Sequence, residues 1–171
     1  KHFVLLVAFS GISDEVPLLN YSLGQAFLNK DIIFRMRTHP IFSWNQLMSL
    51  SSWRKEIPEN VGNSTSFEVS DDLEICDAVL YLGTTVALES LMVGKPIIHF
   101  DRGDLLNYDP LFEFTDFKWQ VQAKDSLQTV IQEIQALPET LYNEHQQQGI
   151  KYMKEYFYPV NNENLEKFLH T

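Results

Sequence analysis

Apolar residues in this chain fall into two patterns. Short, largely apolar runs occur at Phe3 to Phe9 (FVLLVAF), Ile32 to Met36 (IIFRM), Ala78 to Leu82 (AVLYL) and Ile97 to Phe100 (IIHF). Runs of this length with no polar alternation predict strands covered on both faces, as in a parallel sheet. Phe67 to Val69 and Trp119 to Gln122 predict two shorter strands. Between them apolar residues recur at helical spacing. A helix over about 15–29 turns Leu18, Leu19, Leu23, Ala26 and Phe27 toward the sheet. The stretch 41–56 is helical in part, anchored by Trp44, Leu47, Met48, Leu50 and Trp53, and 57–66 is a polar loop. Ser70 and Asp71, with Glu74 three residues after Asp71, cap a short helix. A second short helix carries Val86, Leu88, Leu91 and Met92 and stops at Gly94, a good C′ residue. Longer helices run from Asp125-Ser126 through Ala136 and from Pro138-Glu139 toward Tyr156, and a last one is capped at Asn161 or Asn162 and carries Leu165 and Phe168. Strands alternating with helices predict an α/β fold, a Rossmann-like parallel sheet with helices on both faces.

Composition narrows the function classes. With 171 residues, a single domain with a sizeable core is expected. The net charge of −10 argues against a general nucleic-acid or anionic-membrane surface, though local N–H groups and a few cations can still hold a small anion. Cys76 is the single cysteine, so no internal disulfide forms, which suits a reducing, cytoplasmic setting. The chain opens directly into a strand without an initiator Met and reads as a piece of a longer, two-domain protein.

The candidate chemistry lies where strands end. Gly83-Thr84-Thr85 breaks the AVLYL run and opens a helix, which places backbone N–H groups beside the carboxyl ends of parallel strands, where phosphates bind in open α/β sheets. Arg37 and His39 project from the end of the second strand, and Pro40 stops that strand and keeps His39 extended. Arg37 can grip a phosphate bidentately and His39 can donate from a ring nitrogen. Alternatively, Arg37 pairs with a surface carboxylate and His39 caps a turn. Gly11 after the first strand lacks a GxGxxG context and reads as an ordinary turn. Asp101, Arg102 and Asp104 follow another buried strand, either as solvated loop residues or as a sugar-binding or catalytic carboxylate. His99 reads as a core histidine. No metal site is expected, since Asp101 and Asp104 are separated by Arg and Gly and no His/Cys cluster supports them.

The passage from Cys76-Asp77 through Ala78–Leu82, Gly83-Thr84-Thr85 and Glu89 to Gly94-Lys95-Pro96 resembles the C-terminal, nucleotide-sugar-binding half of GT-B fold glycosyltransferases. Arg37-Thr38-His39-Pro40 is similar to the HP motif of bacterial sialyltransferases, Kdo transferases and CDP-glycerol polymerases, with Thr84-Thr85 standing for their Ser/Thr motif. The resemblance implies that Glu89 binds ribose hydroxyls, that Gly83, Thr84 and Thr85 receive phosphates, and that His39 touches a donor phosphate. It implies metal-independent sugar transfer in polysaccharide or cell-surface glycan synthesis, with a nucleotide-sugar donor as substrate and no cofactor. An N-terminal acceptor-binding domain would supply the general base, so the isolated domain binds nucleotide weakly and transfers nothing. Peripheral membrane association of the full-length protein fits such a role. Two other readings stay open: half of a sugar-nucleotide 2-epimerase, or a non-catalytic nucleotide-binding module of a polysaccharide assembly.

Overall fold

The computed structural model describes residues 2–105 and 107–157. Six strands form one sheet: β1 (Phe3–Ala8), β2 (Ile32–Arg37), β3 (Val61–Asn63), β4 (Ala78–Tyr81), β5 (Ile97–Phe100) and β6 (Lys118–Val121). Their order is β3-β2-β1-β4-β5-β6, and every pairing is parallel. The connecting helices are α1 (Val16–Leu28), α2 (Trp44–Leu50), α3 (Val69–Ile75), α4 (Val86–Met92), α5 (Leu127–Ala136) and α6 (Glu139–Tyr156). Strand residues alternate between two cores. Leu5, Val7, Phe34, Leu80 and Ile98 pack with α1, α2 and α5, whereas Leu6, Ala8, Val79, Tyr81 and Ile97 pack with α3, α4 and α6. Both faces are buried, which is why the central strands need unbroken apolar runs. No helix among the described residues is long and apolar enough to cross a membrane.

The chain winds outward from β1 to β3, then returns to start β4 on the other side of β1. The carboxyl ends of β1 and β4 therefore flank the switch point, where an open α/β sheet leaves a crevice. On the far side of the sheet α6 locks onto the end of α4. The Gln146 amide donates to the Gly94 carbonyl at 2.8 Å, and Gly149 brings α6 close to Leu91. Gly94 has the positive φ of 73° expected of a C′ residue.

Several expected elements differ. The edge strand is Val61–Asn63, not Phe67–Val69. Asn60 explains the first half of this: its side-chain amide donates to the carbonyls of Ala26, Asn29 and Ile32, and its own carbonyl receives the Phe34 amide. These bonds hold the next three residues beside β2. The carbonyls of Ser66, Phe67 and Glu68 instead receive the Arg37 guanidinium, so they are taken from any strand ladder, and Phe67 is 92% exposed. Helix α3 starts two residues earlier than Ser70-Asp71 capping predicts, with Glu68 at its N-cap. Phe27 faces outward near the end of α1, its ring covered by the Lys30 and Lys55 ammonium groups at 5.0 and 4.4 Å. Leu50 and Met92 are likewise half exposed at helix ends. The helix expected around Asn161, Leu165 and Phe168 lies outside the described residues.

Candidate functional site

At the end of β1 the turn amides already hold an anion. The Glu15 carboxylate, fully buried, accepts from the backbone N–H groups of Ser10 (2.7 and 2.8 Å), Gly11 (3.0 Å) and Ile12 (3.4 Å). Burial raises the Glu15 carboxyl above its ordinary range, and the amides offset this only in part. A ligand phosphate thus has no place in this turn, in line with the ordinary-turn reading of Gly11. Gly11 has φ +92° and lies against His39, whose Cβ would stand 2.8 Å from a Cβ placed at Gly11. Only glycine lets the two loops meet here.

At the end of β2 the structure divides the Arg37–His39 pair. Arg37 Nη1 bonds Asp72 Oδ2 at 2.5 Å, and the guanidinium also donates to the carbonyls of Ser66, Phe67 and Glu68. Arg35 Nε holds the other Asp72 oxygen at 2.5 Å, and Ser64 Oγ donates to the same carboxylate. Burial pushes the Asp72 carboxyl up, but Ser64, Arg35 and Arg37 together outweigh it and leave it below the usual range. Two guanidiniums facing one carboxylate make this three-residue cluster formally positive. The carboxylate-pairing alternative for Arg37 is the one the geometry takes, with a buried partner. His39 is half-buried, and its Nδ1 accepts from the Ile41 amide at 3.3 Å, as a turn cap does.

The β4–α4 turn brings the other four residues together. Leu82 ends the buried run, Thr84 is 5% exposed, and Thr85 and Glu89 are exposed. Thr84 Oγ1 accepts from the Val86 amide at 3.3 Å, and the Glu89 amide donates to the Thr85 carbonyl at 3.2 Å. Glu89 therefore sits in the first turn of α4, directly past the threonines. Gly83 is covered by Tyr108: a Cβ there would lie 2.7 Å from both the Tyr108 Cβ and its carbonyl oxygen. Since β1 stands between β2 and β4, the strand ends that lead to His39 and to the threonines lie two strand spacings apart, about 10 Å.

A cavity of about 310 Å³ opens one strand further over, above β5 and β6, under the loop from Asp101 to Phe112. Its floor is a buried polar cluster. Asp109 accepts from Tyr81 Oη (2.7 Å), from the Leu111 amide (2.9 Å) and from Lys118, which also donates to the Leu111 carbonyl at 2.7 Å. His99 Nδ1 stands 4.0 Å from Asp109, and burial lowers its pKa, so it is neutral at pH 7. The loop is latched to the opposite side of the switch point: Tyr108 Oη donates to Asp14 at 2.6 Å, and Arg102 meets the Asp14 carboxylate at 3.2 Å and Asp104 at 2.7 Å. Glu15, Asp72, Asp109 and Lys118 were all missed by the sequence reading. A signal for Asp109 does exist, since a Tyr in a strand buried on both faces needs an acceptor for its hydroxyl. Among the described residues, no group of three or more His, Cys, Asp or Glu side chains is placed to hold a metal ion.

Sheet order, switch point and turn define a Rossmann-like α/β domain. Solved structures share this fold, among them the C-terminal domain of a glycosyl transferase. The chain is similar to the C-terminal domain of the group 1 family glycosyl transferase LpcC from Francisella tularensis, with 12% identity and a TM-score of 0.58 over 94% of this chain and 88% of that one. It is similar to CalG4, the calicheamicin glycosyltransferase, with 18% identity and a TM-score of 0.61, covering 89% of this chain and 38% of that one. It is also similar to the spinosyn rhamnosyltransferase SpnG, with 15% identity and a TM-score of 0.59, covering 91% of this chain and 42% of that one. The chain spans about two fifths of the length of the last two. No protein-family model and no curated protein sequence matches it.

Proposed function

We propose that this chain is the donor-binding half of a glycosyltransferase that uses a nucleotide-activated sugar in polysaccharide or cell-surface glycan synthesis. The observation that carries the reading is the β4–α4 turn. Thr85 and Glu89 are both exposed at the switch point of a parallel sheet, one helical turn apart, while the competing β1–α1 turn is filled by Glu15. In this reading the donor phosphates lie at Gly83, Thr84 and Thr85, and the Glu89 carboxylate accepts from ribose hydroxyls about one turn away. His39 approaches the phosphate from the β2 side. Arg37 acts through the net positive charge of its Asp72 cluster, because its guanidinium is already bonded. As the bond from sugar to phosphate breaks, charge grows on the departing nucleotide. Thr hydroxyls, turn amides and His39 stabilise it, with protein groups rather than a metal ion in that role. A second domain supplies the acceptor site and the general base, and this half alone binds nucleotide without transferring sugar.

Calorimetric titration with CMP, CDP, UDP and GDP tests the reading. One nucleotide is expected to bind saturably, and Glu89→Ala is expected to weaken it at least about tenfold, the loss of a charge-assisted hydrogen-bond pair. Binding that is unchanged in Glu89→Ala and His39→Ala would refute the assignment.

A further inference from the structure

We infer that the cavity over β5 and β6 takes the sugar of the bound donor and selects an uncharged hexose over a sugar acid. The inference rests on the donor reading above and adds to it the sugar class.

Position comes first. Leu82 lines the cavity and leads straight into the Gly83–Thr85 turn, and Tyr108, another wall residue, lies on Gly83. A ligand with its phosphate at the turn therefore carries its next group over β5, one strand away. The cavity's polar wall suits hydroxyl groups: Asp101 and Gln120 stand together, linked at 3.0 Å, and Phe112, 63% exposed, offers an apolar face to ring C–H groups.

Charge sets the selectivity. The wall holds Asp101, Asp104 and Asp109 against Arg102 and Lys118. Both cations are already matched, Lys118 by Asp109 and Arg102 by Asp14 and Asp104. Asp101 is met by amides alone in its bonds to Gly103 (2.8 Å), Gln120 (3.0 Å) and Gln122 (2.8 Å). The Gln122 and Gly103 bonds hold its carboxyl below the usual range, so it is ionised at neutral pH. His99 is neutral, as burial requires. A ligand carboxylate entering here meets an ionised Asp101 with no cation left to receive it. Two carboxylates about 5 Å apart repel enough to cost from roughly fourfold in affinity at the dielectric of water to a few hundredfold at that of a protein surface, and the part-exposed Asp101 stands nearer the first, at about tenfold.

The test uses α-D-glucose 1-phosphate and α-D-glucuronic acid 1-phosphate, which differ only at C6 and carry no base. Each is titrated into the ¹⁵N-labelled chain, following backbone amides. Glucose 1-phosphate is expected to shift the Gly83–Thr85 and Asp101–Gly103 amides, with the glucuronate binding about tenfold more weakly. Asp101→Asn is expected to narrow the gap. Asp104→Asn, at the more exposed rim, is a second variant expected to narrow it less, should Asp101→Asn disturb the loop. Equal affinity for the two compounds, or tighter binding of the glucuronate, overturns this inference and leaves the donor reading standing. No shift at Gly83–Thr85 with either compound likewise overturns this inference, and the nucleotide titration above then judges the donor reading separately.

Discussion

Asp72→Ala is the perturbation whose effect the structure defines most sharply. The Asp72 side chain is fully buried and holds Arg35, Arg37 and Ser64, which come from β2 and the segment after β3. Its removal leaves two guanidiniums facing each other without a counter-ion. Removing one partner of a buried ion pair costs about 3–5 kcal/mol. Arg35 and Arg37 keep 23% and 17% side-chain exposure and recover some solvation, which points to the lower end, about 3 kcal/mol. For a chain of this size that lowers Tm by about 6–12 °C. Urea unfolding monitored by tryptophan fluorescence gives the free-energy change, with Asp71→Ala, an exposed neighbour, as a control expected within about 0.5 kcal/mol of wild type. The effect depends on pH with a definite sign. Because the folded Asp72 carboxyl lies below its ordinary value, its contribution is complete above the unfolded pKa of about 3.9 and is lost as pH falls through the folded pKa. The gap between wild type and Asp72→Asn should therefore close in strong acid. A loss under about 1 kcal/mol in Asp72→Ala at pH 7 would refute the buried-cluster argument.

Other consequences follow from single contacts. Tyr81→Phe removes one donor from the buried Asp109 carboxylate and is expected to cost about 1–3 kcal/mol in urea unfolding without changing the circular dichroism. Gly83→Ala drives a methyl into the Tyr108 backbone and is expected to cost about 1–3 kcal/mol and to lift the 101–109 loop, read as faster proteolytic nicking there. Glu89→Ala lies on an exposed helix face and should shift stability by no more than about 0.5 kcal/mol, which separates its binding defect from misfolding.

Much of the fold was legible because burial on both faces leaves a strong local mark. The runs that form β1, β4 and β5 could be read directly, as could the Gly94 helix stop; β2, covered on one face only, still carries Ile32, Phe34 and Met36 on its buried side. The edge strand β3 was not, since Val61-Gly62-Asn63 is only half covered and owes its place to Asn60, whose three acceptors lie far back in the chain. Phe67 to Val69 has strand-forming residues, yet Arg37 occupies its carbonyls. The same long-range pairing limits the site reading. The Gly83–Glu89 turn is local, and its geometry follows from adjacent residues. Whether Arg37 is available to a ligand depends on Asp72, 35 positions away, and no local pattern marks that partner. The cavity floor joins Tyr81, Asp109 and Lys118 across three segments, and only the unsatisfied tyrosine hydroxyl hinted at it.

The most direct test of where the phosphate sits is a backbone-amide titration of the ¹⁵N-labelled chain with UDP, CDP and GDP in turn. Saturable shifts are expected at Gly83, Thr84, Thr85 and Glu89 with one of them, while Ser10, Gly11 and Ile12, held by Glu15, stay in place. Shifts centred on Ser10 to Ile12, or none at the β4–α4 turn with any of the three, would contradict it.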